Sequence, residues 1–225
     1  MRTHHLGHFK AYTDKLNLAL RELRNRGGTL KDLAKLGVDT LLARLDEVPE
    51  DLRTTIRNNG GGYVNHDLFF KTMAPPSPNN TDGSAPAPRE PSPDSKVGAA
   101  IIRDFGSFSA FKTRFNELAN GVFGSGWVFL YVDGSPEHLA KGEGKLSVMA
   151  TSNQDNPNIL DKNTHHYSIL CLDVWEHAYY LVSHGGSTLP QLAFDAAGTP
   201  LCKAAPRKRK ADEPVTQGVA PRTPC

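Results

Sequence analysis

Leucines recur at helical spacing among charged residues through the first 70 residues of the chain. Residues 3–25 form one such stretch, which ends at Gly27 and Gly28 and has apolar positions at Leu16, Leu18, Leu20 and Leu23. The segments TLKDLAKLGVDTLLARL and VPEDLRTTIRNNGGG continue the helical period. In the latter, Pro49 marks a helix start and the glycines a helix end. The pattern predicts an N-terminal helical hairpin domain over residues 1–73.

The pattern disappears in residues 74–95, APPSPNNTDGSAPAPREPSPDS. Proline, serine, asparagine and alanine dominate this stretch, and such a composition cannot bury enough apolar surface to order itself. We predict a Pro-rich disordered insertion between two halves of the protein.

Residues 96–184 begin with a helical pattern and then change to a strand pattern. Aromatic and apolar residues stand three or four apart at Phe108, Phe111, Phe115 and Leu118. The β-rich runs GWVFLYVDG, GKLSVMATS and YSILCLDV follow. The predicted fold class is therefore α + α/β: the hairpin, then a C-terminal α/β half with a small three-stranded antiparallel sheet. Residues 185–225 have little apolar periodicity and are predicted to be a disordered tail.

The distribution of charge argues against a nucleic-acid-binding fold. The chain carries a net charge of +2, but residues 203–225 hold six basic and two acidic residues, which leaves −2 for residues 1–202. A nucleic-acid-binding domain carries its basic surface on the folded part. The run PRKRKADEP is interpreted as a solvated end, with a nuclear-import or polyanion-binding patch as the alternative.

The bulk features also predict a protein that neither spans nor crosses a membrane. No apolar run reaches the roughly 20 residues of a membrane span, and the start MRTHHLGHFKAY has no apolar signal region. Three scattered cysteines are too few for a disulfide framework, which favours a reducing compartment.

Polar side chains at four places in the chain require an explanation. They are His4, His8, Tyr12, His66, Gln154, Asp173 and His177. Positions 4, 8 and 12 share one stripe of the first helix, and the returning helix of a hairpin can bring His66 beside His4. Three imidazoles and one carboxylate from both halves can therefore meet at the seam between them. Such a set of nitrogen and oxygen donors suits manganese, iron or zinc.

Each residue alone also has a plainer interpretation. A single histidine near an apolar face is more often a hydrogen-bonded core residue than a ligand, and Trp127 and Trp175 suit an ordinary core. The NGGG before His66 instead favours a close backbone approach. Asp173, buried at a strand end, needs a partner, and a metal is a natural one.

Five segments together resemble the iron/manganese superoxide dismutase family. They are HHLGHFKAY, NNGGGYVNHDLFF, FGSGWVFLYVDG, TSNQDNP and DVWEHAYYL, in the order and separation found in the family, over residues 4–182. The resemblance implies an enzyme that converts superoxide to dioxygen and hydrogen peroxide by cycling a bound metal between trivalent and divalent states. The implied metal ligands are His4, His66, Asp173 and His177.

The resemblance also implies roles for the neighbouring residues. His8 and Tyr12 would line the funnel that admits superoxide, Trp127 and Trp175 would wall the site, and Gln154 would hydrogen-bond the metal-bound solvent. In an implied homodimer or tetramer, Glu176 would reach His177 of the partner subunit, and Tyr180 would reach His8 of the partner subunit.

Manganese is the implied metal, with iron as the second choice. In the iron-type branch a glutamine stands four residues before the second ligand histidine, where this chain has Gly62; in the manganese-type branch it comes from an NQD segment, as Gln154 does here. The family implies the mitochondrial matrix for a eukaryotic chain that lacks its transit peptide, and the cytoplasm otherwise.

Two other functions remain open at this stage. A zinc hydrolase would use Glu176 as its base, although Glu176 does not lie in an HExxH helix. An inactive homologue acting as an interaction or structural protein is the second. It is suggested because the family's segment before the first ligand and its closing helices have no recognisable counterpart in this sequence.

Overall fold

The first half of the protein is the expected helical hairpin. The structure is a computed structural model, and it describes residues 2–73, 90–134, 144–162, 164, 166–179, 192–194 and 200–202. The first helix is π-helical over His4–Phe9 and continues as α1 (Lys10–Asn25). After α2 (Gly28–Leu33), α3 (Val38–Ala43) and a 3-10 turn at Leu45–Glu47, helix α4 (Glu50–Lys71) packs back against α1.

One face of α1 closes the hairpin core. Leu16, Leu20 and Leu23 are buried, because steps of four and three residues keep them on the same side of the helix. Leu18 lies off that stripe and is 59% exposed, so it does not belong to the core that the leucine pattern marks.

The three glycines of α4 lie inside the helix. The sequence prediction that they end it is wrong, since α4 continues to Lys71. Tertiary packing explains their presence: a Cβ on Gly61 would lie 2.0 Å from the carbonyl oxygen of Gln154, and one on Gly62 would lie 2.5 Å from the Tyr12 ring. The close backbone approach predicted from NGGG is thereby confirmed.

The second half begins with two helices that start at serine caps. Ser95 accepts a hydrogen bond from Gly98 N at the start of α5 (Lys96–Phe105), and Ser107 accepts one from Ala110 N at the start of α6 (Phe108–Gly121). Three strands and two short helices follow: β1 (Gly126–Asp133), β2 (Lys145–Ser152), α7 (Pro157–Leu160), β3 (Tyr167–Asp173) and α8 (Glu176–Tyr179).

The three strands form an antiparallel sheet in the order β2-β1-β3, as predicted. Successive side chains of a strand point to opposite faces. Val128 and Leu130 therefore pack with α5 and α6, while Trp127 and Phe129 pack on the side of α4. Asp173 is paired with Trp127 in the register between β1 and β3, so this carboxylate lies at the seam between the two halves.

The insertion and the tail lie mostly outside the described residues. Of the predicted insertion, residues 90–95 are described, and they lead into the Ser95 cap. Of the predicted tail, two short strands are described, β4 (Leu192–Phe194) and β5 (Pro200–Cys202), which pair antiparallel. The disorder of both segments stays a prediction. Within the described ranges, no helix is both long and apolar enough to cross a membrane.

We predict that Gly61→Ala loosens the seam. The new methyl would meet a main-chain oxygen that cannot rotate away, so the free energy of unfolding should fall by at least about 2 kcal/mol. Denaturant unfolding measures this value. Gly121→Ala is the matched control, because no atom lies within 4 Å of its Cβ position. Equal stability of the two variants would contradict the described packing.

Candidate metal centre

Four side chains from four elements converge at the seam. His4 comes from the first helix, His66 from α4, Asp173 from the end of β3 and His177 from α8. One donor atom of each lies within 4.8 Å of the others. Asp173 Oδ2 lies 3.1 Å from His4 Nε2, 3.4 Å from His177 Nε2 and 4.0 Å from His66 Nε2. The Nε2 atoms of His4 and His177 are 3.2 Å apart. The sequence prediction that both halves contribute donors therefore agrees with this geometry.

The donor atoms fit a metal ion. His66 and Asp173 are fully buried, yet His66 Nε2 and Asp173 Oδ2 have no hydrogen-bond partner in the described part of the chain. Burying such atoms unpaired is costly. Zinc-type ions bind imidazole and carboxylate at about 2.0–2.2 Å, so two ligands of one ion lie about 3–4 Å apart. The four separations given above, 3.1 to 4.0 Å, fall in this range, and the remaining pairs lie within 4.8 Å.

Hydrogen bonds aim the donors inward. The Nδ1–H of His66 donates to the carbonyl oxygen of Gly62 at 2.7 Å, and since that oxygen only accepts, the lone pair of His66 is on Nε2. Burial lowers the pKa of His66 to about 4, so its imidazole is neutral at pH 7. A neutral imidazole is the form that binds metals.

The carboxylate of Asp173 is held ionised. Burial pushes its pKa upward, but His177 and His4 outweigh that effect and bring the pKa below its usual value. Its second oxygen, Oδ1, accepts a hydrogen bond from Trp175 N at 2.9 Å. One oxygen is thus anchored to the main chain and the other faces the imidazoles.

Gln154 is fixed beside the four donors by its neighbours. Its Nε2 donates to Tyr12 Oη at 3.0 Å, and its Oε1 accepts from Trp127 Nε1 at 3.1 Å. Asn65 Nδ2 holds the carbonyl oxygen of Gln154 at 3.1 Å. Burial raises the pKa of Tyr12, which keeps it a neutral phenol. This arrangement gives an oriented amide and a phenol at the edge of the centre.

The aromatic residues predicted for the site also surround it. The Trp127 ring lies 5.0 Å from that of His66, and the Trp175 ring lies 5.7 Å from that of His177. His8 is exposed and stacks on His177 with ring centroids 4.2 Å apart. Partial desolvation of its ring against the site, followed by the neighbouring His177, lowers the pKa of His8.

Of the two residues predicted for a subunit interface, the structure describes Glu176. Glu176 is exposed in the first turn of α8. Tyr180 lies outside the described residues.

Asn65 is a functional residue that the sequence analysis did not single out. It is fully buried and joins α4 to the Gln154 loop. The helical period contains the signal, because Gly62, Asn65, His66 and Phe69 stand at i, i+3, i+4 and i+7 and form one face of α4.

Comparison with known proteins agrees with this arrangement. Residues 1–74 match the family model described as the alpha-hairpin domain of iron/manganese superoxide dismutases, and residues 93–184 match the model of their C-terminal domain. Over 181 residues, or 80% of the chain, it is 43% and 40% identical to manganese superoxide dismutases 1 and 3 of Leptolyngbya boryana. It is 39% identical to manganese superoxide dismutase of Listeria monocytogenes over the same share of the chain.

A helical hairpin and an α/β half that bring three histidines and one aspartate to their seam define a class of metal-binding proteins. The chain belongs to the iron/manganese superoxide dismutase family. The matched region spans 61% and 63% of the two Leptolyngbya proteins and 74% of the Listeria protein.

The low pKa of His66 predicts a pH dependence for the metal-free protein. In the unfolded chain the His66 imidazole takes up a proton near pH 6.5, whereas in the folded protein it does so only near pH 4. The free energy of unfolding should therefore fall as the pH drops from 6.5 to 4. The loss should be about 3 kcal/mol. His66→Gln should remove it, while the exposed His5→Gln should not. Unfolding free energies across this range test the prediction, and an unchanged slope in His66→Gln would contradict it.

Proposed function

We propose that the protein is a superoxide dismutase that uses manganese, with iron as a second metal that it accepts. The observation that carries the proposal is the pair of unpartnered buried atoms, His66 Nε2 and Asp173 Oδ2, within a set of three imidazoles and one carboxylate. His4, His66, Asp173 and His177 would hold the ion. When bound, manganese supplies one-electron chemistry between its trivalent and divalent states, so that two superoxide ions and two protons give dioxygen and hydrogen peroxide.

Gln154 would donate a hydrogen bond in the centre, and Tyr12 would donate a proton. Gln154 Nε2 uses one hydrogen for Tyr12 Oη, and its other hydrogen remains for an acceptor in the centre. Because Tyr12 Oη accepts from Gln154, the phenol hydrogen is free to be donated towards a reduced oxygen species. Trp127 holds the amide in this orientation.

The gradient of exposure favours entry of a small anion from the side of His8. His66 and Asp173 are fully buried, the side chain of His177 is 20% exposed, and His8 is exposed. His8 and Tyr12 would line this entry, and Trp127 and Trp175 would limit the space around the donors. A narrow entry suits superoxide, which is small and charged.

The packing of Tyr12 supports manganese over iron. A glutamine at position 62 has no room, because a Cβ there would lie 2.5 Å from the Tyr12 ring. The amide beside the donors is that of Gln154, the position that the resemblance to the manganese-type branch implies. Trivalent manganese is intrinsically a stronger oxidant than trivalent iron. A manganese site must therefore lower the reduction potential of its metal more than an iron site does, and a firmly held amide hydrogen bond serves that purpose.

We also propose a homodimer through the edge that carries Glu176. Phe123 is fully exposed in the loop before β1, and Val174 N, next to Trp175, donates to the carbonyl oxygen of Gly126 at the end of this loop at 3.1 Å. An exposed aromatic side chain next to a tryptophan and a carboxylate is a composition that suits an interface core. Tyr180 would belong to the same edge.

Asp173→Ala should abolish superoxide removal and strip most of the metal, since it removes the only anionic donor. Elemental analysis and a superoxide assay on the same sample test this. Asp67→Asn, which changes a partly exposed carboxylate of α4 that pairs with Lys71, should keep both properties. Stoichiometric metal in Asp173→Ala would overturn the ligand assignment. Bound metal without activity in the unchanged chain would instead indicate an inactive homologue.

Reconstitution of the metal-free protein should give a manganese form that is faster than the iron form. Each ion is added separately, and the activity is divided by the metal content of the sample. An iron form as fast as the manganese form would overturn the preference while leaving the proposed activity intact.

Glu176→Ala combined with Phe123→Ala should shift the protein from dimer to monomer and reduce activity. Light scattering measures the mass in solution. Leu18→Ala is the control, because it removes another exposed apolar side chain from α1. A fully active monomer of the unchanged chain would refute the dimer.

A further inference from the structure

A third buried polar atom without a partner lies at the other end of β3. Among the described residues, three buried side-chain nitrogen or oxygen atoms make no hydrogen bond: His66 Nε2, Asp173 Oδ2 and His166 Nδ1. The first two belong to the metal centre. His166 is 5% exposed and directly precedes β3, whose last residue is Asp173. A buried polar atom without a hydrogen-bond partner, the feature that marks the metal centre, therefore also occurs at a second place.

Two carboxylates face the two nitrogens of the His166 ring. Nε2 lies 3.1 Å from Asp161 Oδ2, within hydrogen-bond distance. An ionised carboxylate only accepts, so this bond puts the ring hydrogen on Nε2 and the lone pair on Nδ1. Asp133 Oδ1 lies 3.8 Å from Nδ1. Two acceptors thus face each other, an arrangement that a cation between them would stabilise.

The width of this gap favours a metal ion over a proton. An N–H···O hydrogen bond spans about 2.7–3.2 Å, so 3.8 Å is too long for a shared proton. An ion at about 2.1 Å from each atom bridges 3.8 Å with an open angle. In the first centre, His66 Nε2 and Asp173 Oδ2 are separated by a similar 4.0 Å.

The His166 ring is held in place from several sides. Its main-chain N donates to Asn158 Oδ1 at 2.7 Å, and Asn158 Nδ2 donates to its carbonyl oxygen at 3.1 Å. The Tyr131 ring packs against it in a T-shaped arrangement, with ring centroids 4.9 Å apart. A carboxylate on the opposite nitrogen, as Asp161 provides, is the usual way in which proteins orient a metal-binding histidine.

We propose that His166 Nδ1 and Asp133 Oδ1 form a second site for a divalent cation of the zinc class. Asp161 is a positioning residue that fixes the tautomer of His166. Imidazole nitrogen and carboxylate oxygen are donors that zinc accepts. The side chain of Asp133 is 40% exposed, so water can complete the coordination. The site does not depend on the function proposed for the first centre.

The test is to load the full chain with manganese, equilibrate it with Zn²⁺ and measure both metals by elemental analysis. The unchanged chain should gain one zinc ion that His166→Gln and Asp133→Asn both lack, with the same manganese content in all three. Because Asp133 is partly exposed, its variant should fold even if His166→Gln does not. Failure of manganese to bind would count against the proposed function. The difference of one zinc ion between the unchanged chain and the two variants would still decide whether the second site exists.

Two further measurements sharpen the result. Asp161→Asn should weaken the second zinc site by about 10- to 100-fold in a titration. Asp46→Asn removes an exposed carboxylate that pairs with Lys162 and should change nothing. Nitrogen NMR of the zinc-loaded chain should find a hydrogen on His166 Nε2 and none on Nδ1. Equal zinc content in the unchanged chain and in Asp133→Asn, or a protonated Nδ1 that zinc does not displace, would overturn the proposal.

Discussion

The fully buried carboxylate of Asp173 has one oxygen that faces three imidazole nitrogens at 3.1 to 4.0 Å. A buried charge of this kind is tolerated only with a strong partner. The rest of the site serves that requirement, because each imidazole comes from a different helix and His66 is turned inward by the carbonyl oxygen of Gly62. The two halves of the chain are therefore joined at the point where the charge must be compensated.

Close packing at the seam is the second condition for this site. Gly61 lets the main chain at Gln154 touch α4, and Gly62 makes room for the Tyr12 ring. The same contacts place the Gln154 amide between Tyr12 and Trp127. The ion pair of Arg57 with Asp155, at 2.6 and 2.7 Å, adds a further link across the seam. Stability and site geometry thus depend on the same few contacts.

Local patterns in the sequence predicted the helical hairpin and the three strands, whereas the ligand set was implied by the family resemblance. The β-rich run GWVFLYVDG predicted β1, and the spacing of Phe108, Phe111, Phe115 and Leu118 predicted α6. The pattern failed at Gly60–Gly62, because glycine usually ends a helix and only the packing of Gln154 and Tyr12 explains why α4 continues. The helical period places Asn65 on the buried face of α4, but its partner is 89 residues away in the chain, and no local pattern identifies that partner.

The central claim is that His4, His66, Asp173 and His177 bind one ion. Anomalous diffraction from crystals of the manganese-loaded protein tests it most directly. One manganese peak should lie at about 2.0–2.2 Å from Asp173 Oδ2 and from the Nε2 atoms of the three histidines. A manganese peak elsewhere, or one that is not within bonding distance of all four atoms, would show that these residues do not bind one ion together.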